Sequence, residues 1–126
     1  MPGLRRVKEL IAALLKQYPR LRERKRLQLT YTAIKSLEER GAEVTLENVV
    51  KEARRIIEET SKDIDWGIKP DEYTEEIAAP LLHELAEMGA IELSPELLSE
   101  VAKRLRKRAD REATPVTGVA MFTKPV

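Results

Sequence analysis

The sequence predicts a mainly α fold, a compact bundle of about five helices with at most a minor β element. Three observations carry this expectation. Apolar residues recur three and four apart through most of the chain, which is the period of one helix face. Prolines and glycines fall where that period breaks, as starts and stops. Of the 126 residues, 42% are apolar and 36% charged, enough for one modest core in one domain. Residues 1–113 are expected to form that single helical domain, and residues 114–126 a C-terminal tail, extended or disordered.

Leu4, Val7, Ile11, Leu14 and Tyr18 mark the first helix, with Leu15 widening its stripe. Pro2 suits its first turn and Pro19 stops it. A second helix is expected from about Arg20 to Arg40, with Leu27, Tyr31, Ile34 and Leu37 on one face and Gly41 as the left-handed residue beyond its end. Thr45 reads as the N-cap of a third, whose stripe is Leu46, Val49, Val50, Ala53, Ile56 and Ile57. Residues 61–69 look irregular, and Trp66 beside Gly67 suggests a loop anchor packed on the core. Pro70 fits the first turn of a fourth helix carrying Ile77, Ala78, Leu81, Leu82, Leu85 and Met88. Pro80 should kink or divide that helix, and Gly89 ends it. Ala90–Leu93 reads as a short extended piece. Ser94 and Pro95 then start a fifth helix, burying Leu97, Leu98, Val101 and Leu105 and running to about Arg111. The centre of the tail, residues 116–123, suits either a short strand beside Ile91 or disorder.

Composition narrows the function classes. The absence of cysteine excludes disulfides, a thiol nucleophile and Cys-based metal sites. Amide side chains are only Gln17, Gln28 and Asn48, while charge is abundant, a balance that fits a thermophilic source. A charge-interrupted start and the lack of any apolar run near 20 residues imply a soluble, cytoplasmic protein with no membrane role. The single histidine, His83, falls opposite the apolar stripe of its helix and lacks a second His or Cys. Asp63, Asp65, Asp71 and Glu72 miss the spacing of an EF-hand loop, and the five glycines are too dispersed to cradle phosphate. Catalysis is therefore not expected, nor a metal or cofactor. Three tyrosines, one tryptophan and one phenylalanine are few for a platform that stacks single-stranded bases.

A net charge of +1 conceals strong segregation. Residues 1–60 hold 14 Lys/Arg against 9 Asp/Glu, residues 61–100 hold 2 against 11, and residues 101–126 hold 7 against 2. Two basic ends thus flank an acidic middle. Arg20, Arg22, Arg24, Lys25 and Arg26 crowd one stretch, and Lys103, Arg104, Arg106, Lys107 and Arg108 another. On a helix Lys103, Arg104 and Lys107 share one exposed arc, which Arg111 joins. Such clusters offer consecutive phosphate contacts, the sequence-independent part of nucleic-acid binding. They equally suit a solvated face whose charges pair with the acidic middle or across a subunit interface.

The helix opened by Val44-Thr45-Leu46-Glu47-Asn48-Val49-Val50, followed by one ending Leu81-Leu82-His83-Glu84-Leu85-Ala86-Glu87-Met88-Gly89 before Ala90–Leu93, resembles a winged helix-turn-helix domain over residues 27–93. The resemblance implies a winged-helix-like core and duplex DNA binding, often as a dimer, with the third helix in the major groove. The connection from Thr60 to Pro70 is longer than in that family, and Ser94-Pro95 starts a helix where a wing would form. The helix in the reading position carries Asp71, Glu72, Glu75, Glu76, Glu84 and Glu87 and no cation, so like charge would oppose its approach to phosphate. The leading expectation is a small nucleic-acid-associated protein, a DNA-binding regulator or an accessory subunit of a nucleic-acid-processing complex. Its phosphate contacts would be Arg20, Arg22, Arg24, Lys25, Arg26, Lys103, Arg104, Lys107 and Arg108. The alternative is a non-catalytic helical protein-interaction module or homodimer with no nucleic-acid role, using the first helix or the tail as its contact.

Overall fold

The computed structural model describes residues 3–107. Within them lie four helices, α1 (Leu4–Gln17), α2 (Lys25–Glu39), α3 (Leu46–Thr60) and α4 (Glu75–Glu87), and short 3-10 turns at Pro19–Leu21 and Pro70–Glu72. A fifth helix, α5, runs over residues 95–107. No strand forms among the described residues, and residues 91–94 are irregular. Arg108, Arg111, Phe122 and the whole tail lie outside the described residues.

α2 is the axis of the bundle. Nine of its residues, Leu27, Gln28, Leu29, Thr30, Thr32, Ala33, Ile34, Ser36 and Leu37, are buried, because α1, α3 and α4 all pack against it. Four of those nine are polar, and each makes a hydrogen bond, as burial requires. Thr32 donates to the Gln28 carbonyl at 2.8 Å and Ser36 donates to Glu52 on α3. The Thr30 hydroxyl donates to the Arg26 carbonyl, which leaves the Tyr73 phenol to donate across the 2.6 Å contact between the two side chains. Burial drives the Tyr73 phenol well above its usual range. Glu52 has no exposed side-chain surface. Its Oε1 meets Arg40 Nη2 at 2.8 Å, off the line of a hydrogen bond, and Arg55 lies at 3.8 Å.

Helix ends follow their local chemistry. Thr45, Thr74 and Ser94 cap α3, α4 and α5 by accepting from the Asn48, Ile77 and Leu97 amides. Gly41 and Gly89 take φ of 71° and 83°. These let Ala42 and Ala90 donate back to the Leu37 and Leu85 carbonyls at 2.9 Å, closing α2 and α4 as Schellman turns. Trp66 anchors the long connection between α3 and α4: it is buried, and its indole N–H donates to Thr60 at 2.8 Å.

Several boundaries differ from the sequence reading. The expected helix from Arg20 splits into the 3-10 turn and α2, because burying Leu21 turns the chain before α2 begins. Pro70 opens a 3-10 turn and not α4, which starts only after Tyr73 has entered the core and Thr74 has capped it. α4 runs unbroken through Pro80. The proline withholds a donor only from the Glu76 carbonyl, one turn from the helix start, and Glu76 is exposed to water. Leu97 and Val101 of α5 are buried, whereas Leu98 is 51% exposed and does not join them. His83 is exposed. No helix among the described residues is long and apolar enough to cross a membrane.

Candidate nucleic-acid interface

The first basic cluster sits on the 3-10 turn, the link after it and the first turn of α2. Arg20, Arg22, Arg24, Lys25 and Arg26 are all exposed. The backbone beneath them is held firmly. Leu21 is buried between them, the Arg22 and Arg24 amides donate to the Pro19 and Leu21 carbonyls, and the buried Gln28 side chain donates to the Leu21 and Arg22 carbonyls at 2.7 and 2.9 Å. Gln28 therefore clasps the basic turn onto α2.

The two basic clusters do not stay wholly free. Arg24 forms a bidentate pair with Glu84 of α4, at 3.1 and 3.0 Å. Arg104 of α5 pairs with both Glu75 and Glu76 at the other end of α4, so it leaves the exposed arc expected for it with Lys103 and Lys107. Lys103, Arg106 and Lys107 remain exposed. Among the described residues, no carboxylate pairs with Arg20, Arg22, Lys25, Arg26, Lys103, Arg106 or Lys107. Pairing with the acidic middle thus holds for two side chains: the acidic helix takes one arginine from each cluster and leaves the others exposed.

The position of the free cations runs against helix stability. A helix carries partial positive charge at its N-terminus, where acids stabilise and bases destabilise it. α3 and α4 follow the rule, with Glu47 and with Glu75 and Glu76 in their first turns; the uncapped first turn of α1 holds Arg5 and Arg6, but both pair with carboxylates. α2 reverses it. Lys25 and Arg26 occupy its first two positions, Glu38 and Glu39 its last turn, and no side chain caps its N-terminus. At the C-terminal end the misplaced acids have cation partners: Arg6 of α1 holds Glu39, and Lys35 lies 3.4 Å from Glu38. The Arg6 guanidinium holds the Glu39 carboxyl below its usual range. At the N-terminal end Lys25 and Arg26 have no such partner among the described residues. Positive side chains, uncapped backbone N–H groups and the positive helix end are stacked in one place, the electrostatic arrangement of an anion site.

About 18 Å along the same helix, at 1.5 Å per residue, the surface changes sign. Glu38, Glu43, Glu92, Glu96 and Glu100 line a groove of about 390 Å³ beside the C-terminal end of α2. Glu100 also accepts from the Leu46 amide at 3.3 Å. No three His, Asp or Glu side chains among the described residues gather in a metal-holding arrangement. The chain is electrically polar along α2, and a polyanion that approaches the basic end is repelled from the acidic one.

Sequence reasoning found the basic clusters but missed Gln28 as the residue that positions one of them, and missed which arginines α4 would engage. Neither pairing has a local signal, since Arg24 and Glu84 lie 60 residues apart and Arg104 and Glu76 lie 28 apart. Compared with protein-family models, with curated proteins and with solved structures, the chain gives no match.

Proposed function

We propose that this chain is a small non-catalytic nucleic-acid-associated protein, a DNA-binding regulator or an accessory subunit of a nucleic-acid-processing complex. It binds phosphate backbones chiefly through Arg20, Arg22, Lys25 and Arg26, with Lys103, Lys107 and Arg108 adding a second electrostatic contact. One observation carries the reading: cations that have no carboxylate partner among the described residues crowd the positive, uncapped end of α2, where they oppose folding. A charge pattern retained against the stability of its own helix marks a functional surface. In this reading α4 is not the helix that meets DNA, because its carboxylates engage Arg24 and Arg104. Titration of a labelled 20-base-pair duplex across a salt series tests the reading. The four contacts of the first cluster alone give a slope of log K against log salt of about −3.6, and contacts by the second cluster steepen it. Replacement of Arg22 and Arg26 by Ala flattens the slope by about 1.8. Absence of binding at about 50 mM salt, where counterion release is strongly favourable, refutes the proposal.

A further inference from the structure

We infer that the partner at the basic end of α2 is a double helix and not a single strand; the inference rests on the phosphate-binding reading above. Three features of the surface point the same way.

The first is the placement of every described aromatic ring. Proteins that hold single strands stack successive bases on exposed aromatic faces. Here Trp66 and Tyr73 are buried, and their polar atoms are committed to Thr60 and Thr30. Tyr18 and Tyr31 are half-buried against the core, and the Tyr31 ring already carries the Lys35 ammonium 5.5 Å from its centre. Two of the four rings are closed to an unstacked base, and the other two are partly covered.

The second is rigidity. Leu21, the Gln28 clasp and the Arg22 and Arg24 amide bonds fix the backbone that carries the cations. A preformed array suits phosphates already held at regular spacing, whereas a flexible strand must lose conformational freedom to match it. The third is charge density. A duplex presents one phosphate per about 1.7 Å of its axis, and each contact releases more counterion there than on a single strand, about 0.9 against about 0.7. With four contacts the two slopes differ by about 0.8, so at 0.1 M salt the duplex gains about sixfold from counterion release alone.

The test is a competition titration of the full chain with a labelled 20-base-pair DNA duplex, challenged by the same unlabelled duplex and by each of its single strands. The expected result is a single-strand affinity at least about sixfold below the duplex at 0.1 M salt, unchanged when Tyr31 is replaced by Leu. A single strand that binds as tightly as the duplex, or a Tyr31→Leu variant that loses strand binding selectively, overturns the inference while leaving phosphate binding intact. Failure of both probes to bind at low salt instead overturns the proposed function, and this inference with it.

Discussion

Replacement of Lys25 by Glu should make the protein more stable and less able to bind nucleic acid. Lys25 is the first residue of α2, and Arg24 before it supplies no side-chain cap. Removing a cation from that end relieves about 0.3–1 kcal/mol, and placing an anion there gains a similar amount, so the change is worth about 0.6–2 kcal/mol in favour of folding. For a domain of this size that corresponds to a rise in melting temperature of roughly 2–8 °C. The same swap deletes one phosphate contact, which flattens the salt slope by about 0.9 and costs roughly eightfold in duplex affinity at 0.1 M salt before any new repulsion. Circular dichroism melting and the duplex titration, run on the same preparation with Lys25→Met as the neutral control, read both effects. A melting temperature that falls shows that Lys25 supports the fold. A melting temperature that rises while binding is unchanged removes the cluster from the interface. Either result refutes the reasoning.

Three further outcomes follow from named contacts. Glu84→Gln frees the Arg24 guanidinium from its bidentate partner; duplex affinity should rise, the salt slope should steepen by about 0.9, and Arg24→Ala in the same background should cancel the gain. Gln28→Met, close in volume, removes two hydrogen bonds to the turn and leaves the Leu21 carbonyl only the Arg24 amide, at about 0.5–1.5 kcal/mol for each bond lost; urea unfolding should show that loss, and duplex affinity should fall although no cation has been touched. The Glu39 carboxyl is held below its unfolded value by Arg6, so its contribution to stability is present above the unfolded pKa and disappears as pH falls through the folded one. Melting temperature should therefore drop between about pH 5 and pH 3 in the wild type, and by less in Glu39→Gln.

The helices of this protein are visible in its sequence wherever one face is apolar and the ends are punctuated. The third helix is the clearest case: Thr45 caps it, and Leu46, Val49, Ala53 and Ile56 form a buried stripe. The central role of α2 was hidden for a physical reason. Periodicity reports an apolar face against a polar one, and α2 buries Gln28, Thr30, Thr32 and Ser36 together with its leucines. Those polar residues are admissible inside only because Tyr73, Glu52 and backbone carbonyls, supplied in part by distant segments, complete their hydrogen bonds. Pro80 marks the opposite limit: a local rule predicted a kink or a division, and the helix is not divided, the carbonyl left without its donor belonging to the exposed Glu76.

The candidate interface shows the same division. Charge clustering along the chain located Arg20, Arg22, Lys25 and Arg26, but nothing in the spacing of Arg24 or Arg104 distinguishes them from their neighbours. Only the fold brings α4 alongside and lets Glu84, Glu75 and Glu76 claim those two. Which cations burden the start of α2 was likewise hidden until the helix boundary moved from Arg20 to Lys25.

Amide chemical-shift mapping tests the central claim most directly. A short DNA duplex added to the isotope-labelled chain at low salt should shift the amides of residues 20–28 most strongly, with Lys25, Arg26 and Leu27 at the uncapped end of α2 foremost, and should leave the Glu92–Glu100 wall of the acidic groove unmoved. Shifts centred on α4 or on that groove, or a spectrum that does not respond to the duplex, would contradict the account.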